Sequence, residues 1–436
     1  MIGSKIGSMI GRTMPTAAYY TLGCKVNQYE TEKIREALER QGFQTVRFGT
    51  PADVCVINTC TVTSTADSKS RAAVRKAVRS SPKAMVVVAG CYADLEPQDF
   101  HAIDGVDVVV CNKDKDSIPQ RVISRFGSQA DDSPDRDSGV QDVRARTRTR
   151  AVVKVQDGCD HFCSYCIIPF ARSPMVSRPL DDVIGELESL AEGGYIEVVL
   201  TGIRLGSYKH GGARLPELIR SAASVDGIQR IRLSSIEPWE VDDELVDAMA
   251  APKVCRHLHI PLQSGDDGVL RAMNRPYDSR TYADLIDGVR SRVPGIGVTT
   301  DVIVGFPGET DDAFENTCGL VRRVGFSRLH VFRYSVRRRT AAASMPDQVD
   351  EKTKKARSER LIELGLEGMR GFAESFTGQN LEVLVESRNS ENGMLVGFTD
   401  NYIETVFPGP SSLRGRVAEV RIQKALTDGR AQGVLE

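Results

Sequence analysis

The chain has 436 residues and a formal net charge of −2, enough length for two or three domains and too little net charge to draw nucleic acid except through local patches. Its apolar fraction of 41% supports a sizeable core, while no apolar run approaches the roughly 20 residues that span a bilayer. Residues 1–13 carry no hydrophobic signal region, so the expected location is cytoplasmic with no membrane partner; Met14, just ahead of the first patterned stretch, is an alternative start.

From there apolar strands alternate with amphipathic helices. Ala17–Leu22, Asp53–Asn58, Met85–Ala89 and Val106–Val110 read as buried strands, and Tyr29–Gln41 and Ser64–Ser80 as helices between them. This βαβ pattern implies an open parallel sheet over residues 15–126. The polar, turn-rich stretch at 127–150, with its run SQADDSPDRDSG and a basic end from Arg144 to Arg150, reads as a linker.

A second alternation follows at 151–375. Its candidate strands are Val152–Gln156, Ile196–Thr201, Arg230–Ser234, His257–Pro261, Gly297–Val304 and Arg328–Tyr334, with helices such as Leu180–Glu192 and Ser279–Arg292 between them. Six βα units suit an incomplete (β/α)6 barrel, and a long charged helix spans roughly Asp350–Ser375. The tail, 376–436, turns to short alternating stretches (LEVLVES, YIETVF, VAEVRI) broken by Gly, Asn and Pro, the pattern of a small β-barrel. The fold class is α/β in three domains.

Ten cysteines in a chain of this kind point to metal ligands, catalytic thiols or small core residues rather than disulfides. Cys159, Cys163 and Cys166 in QDGCDHFCSYCIIP form C-x3-C-x2-C directly after a strand. Three thiolates from one short loop can ligate three irons of a [4Fe–4S] cube and leave the fourth iron open to a bidentate small molecule. Tetrahedral zinc would need a fourth donor, for which His161 is the alternative. Cys24, Cys60 and Cys91 each follow a parallel strand, so they converge on the sheet edge where open α/β sheets bind ligands. They read as a second cluster site, or else as three unrelated core cysteines. Cys55, inside a strand, reads as a core residue, while Cys255 and Cys318 lie near helical stretches with no partner motif; Cys111 also ends a strand and could approach the second site.

The C-x3-C-x2-C loop resembles the signature of the radical S-adenosylmethionine (SAM) superfamily. That resemblance implies that SAM binds the open iron and that reductive cleavage gives a 5′-deoxyadenosyl radical. It implies that Tyr165 lies near the adenine, Thr201 and Gly202 near the methionine moiety, and Glu237 and Gln263 near polar groups of SAM. Gly305 and Gly308 would allow close backbone approach. Packing or turn formation is the alternative for each.

The words TLGCKVNQYETE, INTCTVT and VAGCYA resemble the N-terminal domain of the methylthiotransferase family, and GFTDNYIETVF its C-terminal TRAM RNA-binding barrel. The likeness spans nearly the whole chain, and TLGCKVNQYE resembles the branch that acts on N6-threonylcarbamoyladenosine beside the tRNA anticodon. It implies two [4Fe–4S] clusters, on Cys24, Cys60 and Cys91 and on Cys159, Cys163 and Cys166, with SAM, tRNA, an electron-donor protein and a sulfur source as partners. No side-chain general base is expected. The alternatives are action on isopentenyladenosine or a ribosomal protein side chain, or a non-catalytic iron–sulfur protein that binds RNA.

For RNA contact the candidates are Tyr402 and Phe407 as base-stacking rings and Arg414 and Arg416, joined by Arg421 and Lys424, as phosphate contacts. Arg337, Arg338 and Arg339 complete the set, where the family usually reads close to FPYSPRPGTPA and this chain reads FRYSVRRRTAA. Core packing of Phe407 and Tyr402, and solvation of the arginines, are the plainer readings.

Overall fold

The computed structural model describes residues 14–127, 149–389 and 393–436. The expected linker and its basic end lie almost wholly outside the described residues. The chain divides into two units, Met1–Gln141 and Asp142–Glu436, with the division inside the expected linker.

The first unit is a five-stranded parallel sheet in the spatial order Gln44–Val46, Thr16–Thr21, Val54–Thr59, Met85–Gly90, Val108–Val110. The two central strands, VCVINT and MVVVAG, are buried at every position, as strands covered on both faces must be. Helix Lys25–Arg40 contributes Ile34 and Leu38 to one face, beside Ile118 and Val122 of helix Ile118–Phe126. Helix Ser64–Ser80 puts Ala73, Val74 and Ala77 on the other. The edge strand Gln44–Val46 was not legible in the sequence: it is three exposed or half-exposed residues with no apolar alternation.

In the second unit six strands follow one another in parallel: Arg150–Lys154, Glu197–Thr201, Arg230–Leu233, His257–His259, Gly297–Val304 and Arg328–Arg333. Bridges at Ile231–Val254 and Ser235–His259 join the third strand to the fourth. Alternate residues (Val153, Val198, Leu200, Ile231, Leu258, Val298, Val302) pack outward in one large core with the helices. The intervening ones, including Arg150, Glu197, Arg232, His259, Asp301 and His330, face the lumen, as the period of two requires. The first strand begins two residues earlier than expected. The strand ends at Lys154, and Gln156–Asp157 pairs antiparallel with Val176–Ser177.

Helix Glu351–Glu374, capped by the Asp350 carboxylate, packs along the last strand and leads to a closed five-stranded barrel with Phe407 fully buried in its core. The tip of its hairpin Leu395–Thr399/Glu404–Phe407 closes the N-terminal end of the larger barrel. Arg232 donates to the carbonyls of Asp400 (2.9 Å) and Thr399 (3.2 Å), and Arg256 grips the Asp400 carboxylate at 2.6 Å. Beneath the tip, buried Glu197 pairs with Arg230 and Arg232, each at 3.0 Å. Burial alone would raise the Glu197 pKa; the guanidinium groups of Arg232, Arg230 and Arg150 override it and hold the carboxyl below its usual value.

Candidate functional site

The three strand-end cysteines of the first unit share one address. Cys24 caps helix Lys25–Arg40, Cys60 directly follows Thr59, and Cys91 opens the short helix Cys91–Leu95. The sheet order reverses between the strands that precede Cys24 and Cys60, the point where open α/β sheets bind ligands. Burial, joined by the charges of Cys91 and Cys24, pushes the Cys60 thiol up to about 11. Side chains the sequence reading did not single out hold these turns. Asn27 donates to the carbonyls of Leu22 (2.8 Å) and Thr59 (3.0 Å), Asn58 donates to the Asn27 carbonyl (3.0 Å), and Ser70 bonds Cys60 through both backbone groups. Gly23 sits at φ 95°, and a Cβ there would meet the Cys60 side chain at 2.9 Å, so only glycine lets the two turns close up. Cys111 keeps company with Asp94 and Asp114, and Cys55, Cys255 and Cys318 are core residues.

The second triad rises from the mouth of the barrel. Its loop is fastened by segment 272–275. Ser164 donates to the carbonyl of Ala272 (2.6 Å), the Ser164 amide to that of Met273 (3.1 Å), and Asn274 to that of Phe162 (2.9 Å). His161, the alternative zinc donor, instead puts Nε2 2.8 Å from the Asn274 carbonyl and its ring against Trp239. Burial drives the Cys166 thiol up to about 12, with the charges of Cys163 and Cys159 adding to it, and raises Cys159 as well. Thiolates packed this closely in an apolar setting repel one another until a cation binds them. In both triads the donor set suits an iron–sulfur cube with one iron lacking a protein ligand.

A cationic cage stands over the second triad. Buried Arg275 donates through Nη1 to the Cys163 sulfur at 3.4 Å and through Nε to the Tyr277 hydroxyl at 3.1 Å. Its remaining face pairs with Glu237 and lies over the Trp239 and Tyr277 rings at 4.6 and 5.2 Å. Arg204 bridges Asp160 at 2.6 Å and Glu240 at 2.5 Å. Burial outweighs this partner and pushes the Glu240 carboxyl up to about 7.

Other expected ligand contacts fall out differently. Thr201 is buried at its strand end, Gly202 lies against the Gln156 side chain, and Gln263 takes a positive φ of 65° in a bridge to Val302. Tyr165 packs under the loop in a cluster with Phe306 and Tyr334. At Gly305 a Cβ would lie 2.2 Å from Cγ of Lys354, so this glycine makes room for the long helix; Gly308 is open on that side. Tyr402 is not a free stacking surface. Its ring is sandwiched between His257 (4.5 Å) and Phe398 (5.0 Å), with the Arg232 guanidinium 4.8 Å away, and it anchors the hairpin tip because that tip must seal a charged lumen. Arg337 is 8% exposed and bonds its neighbour's carbonyl, which corrects its assignment to a phosphate-binding surface. Arg338, Arg339, Arg414 and Arg416 are exposed.

Comparison with known proteins agrees along the chain. Residues 16–111 match the uncharacterized protein family UPF0004, 153–321 the radical SAM superfamily and 374–432 the TRAM domain. The threonylcarbamoyladenosine tRNA methylthiotransferase MtaB of Bacillus subtilis is 41% identical over 94% of both chains. A tRNA-2-methylthio-N(6)-dimethylallyladenosine synthase of a Thermoanaerobacter species is 36% identical over 92% of this chain and 89% of its own. Among solved structures the radical SAM methyltransferase TsrM of Kitasatospora setae superposes with a TM-score of 0.54 at 18% identity over 76% of this chain and 75% of its own, a likeness of fold. With two cysteine triads on two α/β units, a small closed barrel sealing the second, and this similarity over almost the whole length, the chain belongs to the radical SAM methylthiotransferase family.

Proposed function

We propose that this chain adds a methylthio group to C2 of N6-threonylcarbamoyladenosine beside the anticodon of tRNA, in the cytoplasm. Cys159, Cys163 and Cys166 hold one [4Fe–4S] cluster, and Cys24, Cys60 and Cys91 hold the second. When bound, the first cluster and SAM supply radical chemistry able to replace an unactivated aromatic C–H, and the second supplies a site for the sulfur to be transferred. An electron-donor protein and a sulfur source complete the reaction.

The chain's own contribution is positioning and exclusion of water. Arg275 keeps a positive charge beside the Cys163 sulfur, Asn27 and Asn58 fix the spacing of the Cys24 and Cys60 turns, and the 398–402 tip closes the far end of the barrel. Arg338, Arg339, Arg414 and Arg416 are the candidate phosphate contacts. The observation that carries the choice of base is the 41% identity to a threonylcarbamoyladenosine enzyme along 94% of both chains. A polar lumen, lined by His259, Asp301 and His330, supports it. It suits a substituent bearing carboxylate, hydroxyl and urea groups better than an apolar prenyl chain.

The test is mass spectrometry of tRNA nucleosides from cells lacking the protein. Loss of the 2-methylthio form of N6-threonylcarbamoyladenosine, with the unmethylthiolated nucleoside accumulating and the wild-type chain restoring it, supports the assignment. Loss of a methylthiolated isopentenyladenosine instead would redirect it.

A further inference from the structure

Below the barrel mouth three metal-donor side chains converge from three successive strands. Asp301 and His330 stand opposite each other in the register of the last two strands, and His259 reaches up from the strand before. The Nε2 of His259 is 3.3 Å from an Asp301 carboxylate oxygen, the two imidazole centroids are 5.8 Å apart, and one donor atom from each side chain lies within 4.8 Å of the others. The first distance is close to the ~3.4 Å that separates two ligands on a tetrahedral ion with bonds of about 2.1 Å. His330, exposed on the edge strand, supplies the third donor.

The His259 ring is also oriented as metal-binding imidazoles are. Its Nδ1 is 2.9 Å from the Thr299 hydroxyl, which is itself 3.0 Å from Nε2 of His257. That bond holds the opposite nitrogen toward Asp301 and the lumen. Neither cysteine triad contributes to this group, and the cluster chemistry does not call on it. The side chains at its edge are partly open, with His259 at 13% and Asp301 at 28% side-chain exposure, so an ion can enter.

We propose that His259, Asp301 and His330 form a binding site for one first-row divalent cation, with zinc, a redox-inert ion held by imidazole and carboxylate donors in catalytic sites, as the candidate that suits the donor set. Two imidazoles and one carboxylate leave at least one coordination position facing the lumen, available to an oxygen ligand.

The test uses the cluster-loaded full chain, kept anaerobic and incubated with zinc chloride. After desalting, zinc, iron and sulfide are measured per chain in the wild type, in Asp301→Asn and in His330→Phe, the last a change at an exposed ring on an edge strand. One retained zinc per wild-type chain, lost from both variants while iron and sulfide stay level in all three, supports the site. Absence of zinc from the wild type, equal retention in the variants, or zinc gained only as iron is lost would overturn it.

Discussion

The Arg275 guanidinium donates to the sulfur of Cys163 at 3.4 Å from a pocket walled by Trp239 and Tyr277. Being buried, it is screened little by solvent, and its charge favours the more electron-rich form of whatever the sulfur binds. Replacing Arg275 by Met should therefore lower the midpoint potential of the first cluster by on the order of 60 mV, the one-electron equivalent of about 1.4 kcal/mol. Arg275→Lys should fall between. A redox titration followed by EPR, in a background where Cys24, Cys60 and Cys91 are all Ala, isolates that cluster. An unchanged potential would leave Arg275 as a packing residue.

Glu197 holds three guanidinium groups under the hairpin tip, and Arg150 carries a second carboxylate, Glu386, at 2.5 Å. Glu197→Gln leaves buried cations without their central anion, a loss of about 3–5 kcal/mol. Urea denaturation should show that loss, and limited proteolysis should reach the 398–402 tip in the variant before it does in the wild type.

Arg339 occupies the left-handed region at φ 73°, at the position where the family pattern has glycine. A non-glycine residue there costs about 1 kcal/mol, so Arg339→Gly should raise stability by about that amount in thermal melts. If the exposed arginines contact RNA, Arg338→Ala and Arg414→Ala should each reduce the slope of log affinity for tRNA against log salt by roughly 0.7–0.9. An unchanged slope would make both of them plain surface.

Burial sets the Glu240 carboxyl at about 7, well above its value in the unfolded chain. The folded state therefore binds the extra proton between the two values, and this group's contribution falls as pH rises from the unfolded pKa through 7. Glu240→Gln removes that penalty. The melting temperature of the variant relative to wild type should be higher at pH 8 than at pH 5.5. A constant difference would contradict the raised pKa.

The elements that position the clusters were legible in the sequence because each has a local cause. MVVVAG and VCVINT are apolar throughout as doubly covered strands must be, and C-x3-C-x2-C carries its ligand set within eight residues. What was not legible depends on partners distant in the chain. Nothing local marks Arg275 as the neighbour of Cys163, or Asn27 as the staple across to Thr59. For Tyr402 the sequence leaves base stacking and core packing open, and neither foretells a hairpin tip inserted beneath His257. That insertion also means removal of the tail would uncover the Glu197 cluster as well as delete an RNA-binding surface.

The two cysteine triads divide the labour of cleaving SAM and delivering sulfur, and Cys60→Ala separates those roles. The reconstituted variant is supplied with SAM, reductant and tRNA carrying N6-threonylcarbamoyladenosine, and both 5′-deoxyadenosine and methylthiolated nucleoside are measured by mass spectrometry. In this variant 5′-deoxyadenosine should continue to form at a rate near that of the wild type while no methylthio product appears. Methylthiolated nucleoside from the Cys60→Ala protein would contradict that division of labour.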